Sequence, residues 1–299
     1  MTDRPPPLVA VLLATYNGAA WLREQLNTLL AQQKVHVCVH ASDDRSSDDT
    51  VAILRRYHHA MLRQLPPVPE RMGNANRNFL RLVHDADIGE ADFVAFADQD
   101  DLWHPDKLGR AVAELARTGA QAYSGNVVAF WPDGRRKVLV KSQPQRRFDY
   151  LFESAGPGCT FVLTRPAFEA LRTWVRADYA RLREAQVHDW LFYAFGRVRG
   201  WHWHIDSRPA MDYRQHDRNE VGANVGARAA RRRLGMLCDG SFRRNAVQIA
   251  AFAGDTSWVS QALQRLTPFD RLRLAFAFRS LRRRGRDALM MIIFAFVTK

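Results

Sequence analysis

The stretch FVAFADQDDLWHPDKL, residues 93–108, joins an apolar run to a cluster of acidic side chains. Residues 93–97 are all apolar, a pattern typical of a strand that is buried on both faces. Asp98 and Asp100 follow directly, and their spacing of two directs both side chains to the same side of an extended chain. This stretch therefore predicts a buried strand that ends in converging carboxylates.

Two earlier segments repeat the pattern of an apolar strand followed by polar residues. Residues 8–14 form a continuous apolar run, and residues 35–42 alternate and are rich in β-formers. Residues 21–33 and 46–62 place apolar side chains at helical intervals. Alternation of strand and helix predicts right-handed crossovers and a parallel sheet, in which residues 92–97 form a later strand. The fold class is therefore α/β.

Polar residues follow each of these three strands, at the end where the chain leaves the sheet. They are Thr15-Tyr16-Asn17, Asp43-Asp44 and Asp98-Gln99-Asp100-Asp101. The carboxyl ends of parallel strands lie at one rim, which is where α/β folds bind ligands. Because unpaired carboxylates beside an apolar core repel each other, a divalent cation that also holds phosphate oxygens is a natural partner. Capping of the next helix is the alternative, and we prefer it for Asp106.

The second half of the chain alternates less regularly. Residues 123–140 predict two strands joined by a Pro-Asp-Gly turn, and residues 156–175 predict a glycine-rich loop, a strand and a helix. Residues 187–198 predict a helix, and residues 201–216 contain another strand. Asp189 is an acid in an otherwise apolar segment, which is costly unless the acid is paired or functional.

Length and composition are those of a globular protein. The chain has 299 residues, 47% of them hydrophobic, enough for one large domain or one domain with an appendage. Cys38, Cys159 and Cys238 are scattered and form no CxxC, which argues against a disulfide framework or zinc site and predicts a reducing cytoplasm. We expect no signal peptide, and the apolar end at 288–297 is shorter than the roughly 20 residues of a spanning helix.

Positive charge is concentrated near the C-terminus. Residues 211–299 hold 17 of the 44 Lys and Arg but only seven of the 31 Asp and Glu. Residues 268–299 interleave Arg with apolar residues at helical spacing, which predicts amphipathic helices on an anionic membrane surface. The alternatives are a solubilising face, helices packed on the rest of the chain or in a dimer, and a nucleic-acid surface, which the aliphatic end disfavours. The arginines before this end are Arg279, Arg282, Arg283, Arg284 and Arg286.

The chain carries seven short motifs in this order: LLATYNG (12–18), SDDRSSDDT (42–50), GNANRNF (73–79), FADQDDLWHPDKL (96–108), GPGCTF (156–161), HDWLF (188–192) and YRQH (213–216). In this order they resemble the family 2 glycosyltransferases, the inverting enzymes of the GT-A fold. The resemblance covers residues 8–225 and is nearest to the bacterial rhamnosyltransferase-like branch. A single motif of this kind is weak, whereas seven in order are specific.

The resemblance implies a GT-A fold, in which a Rossmann-like mixed sheet is flanked by helices. It implies a glycosyltransferase domain over residues 1–225, divided near residue 110 into a nucleotide-binding part (1–110) and an acceptor-binding part (111–225). A basic helical extension over residues 226–299 would follow. The Q-x-x-R-W motif of processive synthases is absent from the sequence, which favours transfer of a single sugar.

The implied enzyme moves a sugar from a UDP- or dTDP-linked donor, dTDP-rhamnose among them, to a saccharide or lipid-linked saccharide in bacterial surface polysaccharide synthesis. It would work in the cytoplasm, peripherally on the inner face of the cell membrane, with no nucleic acid as partner. The same carboxylates would also suit another metal-dependent nucleotide-using enzyme, such as a nucleotidyltransferase or a phosphohydrolase. Such an enzyme would not need Asp189.

The resemblance also assigns roles to residues. Asp189 would be the catalytic base that takes the proton of the acceptor hydroxyl. Mg²⁺ or Mn²⁺ would be held by Asp98, Asp100 and His216. The acceptor would be bound by Gly158, Cys159, His188 and Trp190. The nucleotide sugar would be bound by Thr15, Tyr16, Asn17, Asp44, Asn78, Asp98, Gln99 and Arg214. A surface or half-buried histidine without a role remains the alternative for His188, a small packing residue for Cys159, and turn or cap chemistry for Asn78.

Overall fold

The structure is a computed structural model that describes residues 5–57, 61–185, 187–217, 235 and 239–298. These residues form two compact units. The first comprises Met1–Lys141, Gly156–His188 and Trp201–Glu220, and the second comprises Ser142–Ala155, Asp189–Gly200 and Val221–Lys299. Cys238 and the expected boundary between residues 225 and 226 lie outside the described residues.

The described part of the first unit contains eleven strands and six helices. The strands are β1 Leu8–Thr15, β2 His36–Asp43, β3 Leu62–Gln64, β4 Phe93–Ala97, β5 Leu102–Trp103, β6 Ala122–Gly125, β7 Val127–Phe130, β8 Arg136–Leu139, β9 Val162–Thr164, β10 Trp203–Asp206 and β11 Met211–Arg214. The helices are α1 Leu22–Leu30, α2 Thr50–Arg56, α3 Ala75–Asp85, α4 Lys107–Thr118, α5 Arg165–Ala177 and α6 Tyr179–Leu182.

The main sheet has seven strands in the order β10-β6-β9-β4-β1-β2-β3. Strands β4, β1, β2 and β3 run parallel, as the sequence predicts, whereas β9 is antiparallel to β4 and β6 and makes the sheet mixed. Leu13 lies opposite Ala97, and Thr15 lies opposite Asp43. The polar residues that follow β1, β2 and β4 therefore meet at one edge. We call residues 15–18, 43–44 and 98–101 the strand-end rim.

A second sheet has four strands in the order β5-β11-β7-β8. Strand β5 directly follows residues 98–101, which we call the acidic loop. The predicted hairpin is confirmed, because β7 and β8 pair antiparallel on either side of residues 132–134. The two-residue strand β5 follows Asp101 directly and pairs with β11. This pairing holds the end of β11 and the two residues after it, 214–216, next to Asp100 and Asp101.

Helix α4 shows how the helices attach to the sheet. Leu108, Ala111 and Leu115 recur at helical spacing and are buried, while the opposite face stays polar. Asp106 stands at the N-cap position, but its side chain makes no capping bond and lies 2.7 Å from the Arg208 guanidinium. The expectation that Asp106 caps this helix is therefore wrong, because the carboxylate pairs with a full positive charge instead.

The described part of the second unit is helical, with a 3₁₀ turn at Asp149–Leu151. Helix α7 (His188–Val198, whose first residue belongs to the first unit) matches its prediction, and the predicted C-terminal helices are confirmed. Among the described residues, no helix combines the length and the apolar character needed to cross a membrane. The C-terminal helices are α8 Ser241–Ala253, α9 Trp258–Arg265, α10 Pro268–Phe276, α11 Phe278–Leu281 and α12 Gly285–Val297.

A buried ion cluster lies within the second unit, and we call it the Asp149 cluster. The fully buried Asp149 carboxylate accepts from the Tyr193 hydroxyl at 3.1 Å and from Arg197 at 2.8 Å, and Arg283 Nη1 lies 3.3 Å away. Arg283 also pairs with Glu153 at 3.3 Å. The expectation that Arg283 lies on a cationic surface is therefore wrong. Its side chain is buried because two acids supply its counter-charge.

Candidate active site

An amide pair ties β1 to β4 at the strand-end rim. Gln99 Oε1 accepts from the Tyr16 N–H at 2.8 Å, and Gln99 Nε2 donates to the Tyr16 carbonyl at 2.8 Å. Gly18 leaves room for this amide, because a Cβ at position 18 would come within 2.1 Å of Gln99 Oε1. Gln99 therefore sets the shape of the Tyr16 loop, whatever else it binds.

Thr15 and Asn17 connect the loops that follow β1 and β2. Thr15 Oγ1 donates to Asp43 Oδ1 at 3.0 Å. The Asn17 N–H donates to Ser46 Oγ, and Asn17 Oδ1 accepts from the Ser47 N–H, both at 2.8 Å. Asn17 has a φ of +47°, which asparagine tolerates better than most residues. The two loops are thus held in one arrangement.

Asp44, Arg71 and Tyr16 stand together at the rim. The buried Asp44 carboxylate accepts from the backbone N–H groups of Met72 and of Gly73, the latter at 2.9 Å. Arg71 Nε lies 3.8 Å from Asp44, and its guanidinium lies 3.8 Å from the centre of the Tyr16 ring. Flat groups and a carboxylate side by side suit a planar heterocycle. The sequence analysis missed Arg71, because a single arginine in a loop forms no pattern.

The two asparagines of the GNANRNF motif have different partners. Asn74 caps α3 by accepting from the Arg77 N–H at 2.8 Å. Asn78 is buried, and its Nδ2 donates to the carbonyls of Ser42 at 2.9 Å and Thr15 at 3.3 Å. Asn78 therefore joins the ends of β1 and β2 from inside the unit.

Asp100 and His216 are brought together at the rim. Asp100 Oδ2 lies 2.8 Å from His216 Nε2. The His216 ring stacks on Trp21 with 3.9 Å between ring centroids and an interplanar angle of 5°. Pairing of β11 with β5 makes this possible, since it sets residue 216 beside the acidic loop. Two expected metal ligands thus converge although 116 residues separate them.

A second group of possible ligand atoms includes two carboxylates of the acidic loop. Asp98, Asp101 and Cys159 each place one such atom within 4.8 Å of the others. Burial, and then Asp101, raise the pKa of the Cys159 thiol, so that it stays protonated. Burial, and then Asp100 and Asp98, raise the pKa of Asp101, whose Oδ2 has no hydrogen-bond partner in the described chain. A hard divalent cation suits these carboxylates, because it accepts oxygen ligands and offsets their repulsion.

Lys107 lies beneath this group without a hydrogen-bond partner for Nζ among the described residues. Its Nζ stands 3.3 Å from the centre of the Trp103 ring. Burial lowers the pKa of Lys107 to about 7, while Cys159 and Asp101 act in the opposite direction. Lys107 is thus a buried amine near Asp101 and Cys159. In the described chain, no carboxylate is hydrogen-bonded to it.

Arg214 holds the acidic loop from the side. Its backbone N–H donates to Asp101 Oδ1 at 3.1 Å, and its Nε donates to the Asp100 carbonyl at 2.7 Å. Its Nη2 donates to Glu24 at 2.5 Å. A phosphate oxygen that replaced the Glu24 carboxylate would keep this guanidinium paired with an acid.

His188, Gly158 and Cys159 are neighbours in the first unit. The His188 ring packs on Phe79 with 4.0 Å between centroids, and burial lowers the pKa of His188 to about 3. A Cβ at position 158 would come within 2.2 Å of His188 Nε2, so only glycine permits this approach. The imidazole is therefore neutral and packed against an aromatic ring.

Asp189 and Trp190 belong to the second unit, in the first turn of α7. Asp189 is half-buried, and its Oδ1 accepts from the Trp190 N–H at 2.6 Å. Trp190 Nε1 donates to the Tyr150 carbonyl at 2.7 Å, which anchors α7 to the 3₁₀ turn. The carboxylate is thus held in a defined place on its own unit.

The fold is that of the GT-A glycosyltransferases, as the sequence predicts. TarS of S. aureus in complex with UDP matches with a TM-score of 0.58 and 18% identity, over 91% of this chain and 71% of TarS. TarS with UDP-GlcNAc matches with a TM-score of 0.54 and 15% identity, over 94% and 83%. At such identities the likeness shows the fold alone.

Sequence comparison gives the family. Residues 10–171 match the model of glycosyl transferase family 2. The dTDP-rhamnosyl transferase RfbG of Shigella flexneri is 37% identical over 284 residues, which are 94% of this chain and 98% of RfbG. The succinoglycan biosynthesis protein ExoO of Rhizobium meliloti is 31% identical over 43% of this chain and 36% of ExoO. The chain belongs to glycosyltransferase family 2 and is a glycosyltransferase.

Proposed function

We propose that this enzyme transfers a single rhamnose from dTDP-rhamnose to a saccharide acceptor with inversion at the anomeric carbon. The observation that carries the proposal is the 37% identity with a dTDP-rhamnosyl transferase across nearly the full length of both chains. Similarity over one domain would support only a nucleotide-sugar enzyme. Similarity at both ends also includes the parts of the chain that select the sugar and the acceptor.

The strand-end rim would bind the nucleotide. Tyr16 and Arg71 offer stacking surfaces for the base, and Asp44 offers a carboxylate for a base N–H. Thr15, Asn17, Asn78 and Gln99 hold the loops in place around it. Because these loops are already bonded to each other, the site needs little ordering when the donor binds, which favours affinity.

The acidic loop would hold the divalent ion that is expected in this family. Asp100 and His216, together with Asp98, would bind Mg²⁺ or Mn²⁺, which when bound offsets the charge on the leaving diphosphate. Cys159 would contribute no ligand, because its thiol stays protonated. The ordered Arg214 keeps the loop in position through the Asp100 carbonyl.

Asp189 would act as the base. Its carboxylate takes the proton from the acceptor hydroxyl as that oxygen attacks the anomeric carbon. The new C–O bond forms while the bond to the diphosphate breaks, and its electron pair leaves with dTDP. One displacement of this kind inverts the anomeric centre and needs no covalent enzyme intermediate.

The acceptor would be a saccharide, in lipid-linked or free form, that grows into bacterial surface polysaccharide. The enzyme would therefore act at the cytoplasmic face of the cell membrane, where nucleotide sugars and lipid-linked intermediates meet. Gly158, Cys159, His188 and Trp190 are our proposed acceptor-side residues. Of these, Cys159 is buried and the His188 ring packs on Phe79, so both would act by packing.

A donor screen tests the proposal. The full chain is mixed with dTDP-rhamnose, UDP-glucose or UDP-GlcNAc, with and without Mn²⁺, and thermal stabilisation is recorded. We expect stabilisation by dTDP-rhamnose that requires Mn²⁺. Release of dTDP is then measured with and without a saccharide acceptor, and the linkage of the product is read by NMR.

Two outcomes would overturn the proposal. Release of dTDP at the same rate with and without the saccharide acceptor would indicate a phosphohydrolase. Thermal stabilisation by UDP-sugars but not by dTDP-rhamnose would be consistent with a glycosyltransferase, but it would reject dTDP-rhamnose as the donor.

A further inference from the structure

Two C-terminal helices each expose an apolar stripe to solvent. On α10, Leu274 faces the interior, while Phe269, Leu272 and Phe276 lie on the opposite face. On α12, residues 288, 291, 294 and 295 are buried. The large apolar residues exposed on the two helices, by 40–85%, are Phe269, Leu272, Phe276, Leu289, Ile293, Phe296 and Val297.

One arginine fixes α10 against α12. Arg271, near the start of α10, donates from Nη1 to the Ala295 carbonyl at 2.8 Å and from Nη2 to the Thr298 carbonyl at 3.0 Å. The start of one helix therefore lies beside the end of the other. The buried face of α12 packs on an aromatic core in which Phe294 contacts Phe152 and Phe242. The exposed stripes belong to a rigid pair and not to a frayed end.

The charge around these stripes is positive. Arg273, Arg279, Arg284 and Arg286 are exposed, and residues 268–298 contain only two acids. One of these, Asp270, is already bonded to Arg265 and to the cap of α10. An apolar face with a cationic border matches the interior and the headgroups of an anionic bilayer.

We propose that the exposed stripes of α10 and α12, bordered by these four arginines, form a surface that inserts into an anionic lipid bilayer. The phenylalanines and aliphatic side chains enter the acyl boundary, and the arginines contact lipid phosphates. This inference concerns where the chain docks, and it does not depend on the proposed donor or base.

Vesicle flotation of the full chain tests this surface. Vesicles of phosphatidylcholine are compared with vesicles that also contain phosphatidylglycerol. We expect binding to the anionic vesicles that weakens with salt. The double variant Phe276→Ser with Phe296→Ser should weaken binding by about ten-fold or more per phenylalanine. Arg284→Gln with Arg286→Gln should weaken it about five-fold per arginine.

The controls use exposed residues of the first unit. Val138→Ser with Val140→Ser removes exposed apolar side chains, and Arg135→Gln removes an exposed arginine. These variants should bind vesicles like the wild type. Light scattering without vesicles reports self-association.

Three results would overturn the inference: no binding by the wild type, equal loss in the Val138/Val140 control, or a dimer that the phenylalanine variant disperses. Transfer to a soluble acceptor, measured without vesicles, should be unchanged in the phenylalanine variant. Failure of that transfer in the wild type would reject the proposed function and leave the vesicle result standing.

Discussion

The Asp149 cluster and the strand-end rim both bury carboxylates, but they balance the charge differently. In the cluster, Arg197 and Arg283 face one fully buried carboxylate, and a tyrosine hydroxyl adds a further bond. At the rim, Asp101 has carboxylates and a thiol as neighbours, and one of its oxygens is unbonded in the described chain. The first arrangement is complete within the chain, whereas in the second no cationic side chain of the described residues is hydrogen-bonded to Asp101.

This difference separates stability from function. A buried charge that is matched by the chain's own cations costs several kcal/mol when one partner is lost. A crowded, unmatched group of acids destabilises the free chain and becomes favourable when a cation binds, which is why perturbed groups concentrate at functional sites. Substitutions in the Asp149 cluster should therefore lower the stability of the chain, whereas substitutions at the strand-end rim should lower its activity.

The largest effect is expected from Asp189→Asn, which keeps the shape of the side chain and its bond to the Trp190 N–H. Loss of the base should lower turnover by about 10²–10⁴-fold, because amide cannot take the acceptor proton. Donor affinity should stay near normal, since the donor residues lie on the first unit. Single-turnover kinetics measures the loss of turnover, and calorimetry measures donor affinity. Retained turnover would reject Asp189 as the base.

The next effect concerns Asp149→Asn in the same unit. The substitution leaves Arg197 without its buried counter-charge and leaves Arg283 with Glu153 alone, and we expect the free energy of unfolding to fall by about 3–5 kcal/mol. Urea unfolding measures this loss. Asp133→Asn is the control, because the Asp133–Arg135 pair is exposed and should contribute little to stability. Equal losses in the two variants would show that the cluster does not stabilise the fold.

Asp100→Asn, in contrast to Asp149→Asn, should lower activity more than stability. Turnover should fall by about 10²–10³-fold as one charged ligand is lost, and the free energy of unfolding should change little because like charges are relieved. The Mn²⁺ dependence of turnover and a melting curve check both parts. Asp106→Asn, in the same loop but paired with Arg208, is the matched control and should retain activity. A normal Mn²⁺ dependence in Asp100→Asn would remove this residue from the metal site.

The sequence predicts the parts of the rim that follow from local pattern. Strands β1 and β4 are apolar runs and β2 alternates, so their existence, parallel direction and polar ends could be stated in advance. Strand β5 could not, because two residues carry no periodic signal and its pairing with β11 is non-local. The contact of His216 with Asp100 depends on that pairing.

The Asp149 cluster could not be predicted for a related reason. Tyr193 and Arg283 lie 44 and 134 residues from Asp149 along the chain. A run of arginines before an apolar end is usually exposed, and the sequence of residues 282–286 does not distinguish Arg283 from its neighbours. Only the packed structure shows that this arginine has two acids within reach.

The smallest predicted effect tests the cation beneath the rim. Burial lowers the pKa of Lys107 to about 7, whereas an unfolded lysine titrates near 10.4. Between these values the unfolded chain binds more protons, so the free energy of unfolding should rise as pH increases from about 7 to about 10. Lys107→Met removes the charge at similar length and should stabilise the chain by about 1–2 kcal/mol at neutral pH.

Urea unfolding of both chains near pH 7 and near pH 9 measures this difference. The gap between Lys107→Met and the wild type should narrow at the higher pH, because Lys107 is then largely neutral. The Trp103 ring favours the ammonium form and moves the change toward higher pH. Lys137→Met, at an exposed position on β8, should show no such trend. A gap that stays constant with pH would mean that Lys107 does not titrate in this range, so that the positive charge below the acidic loop is permanent.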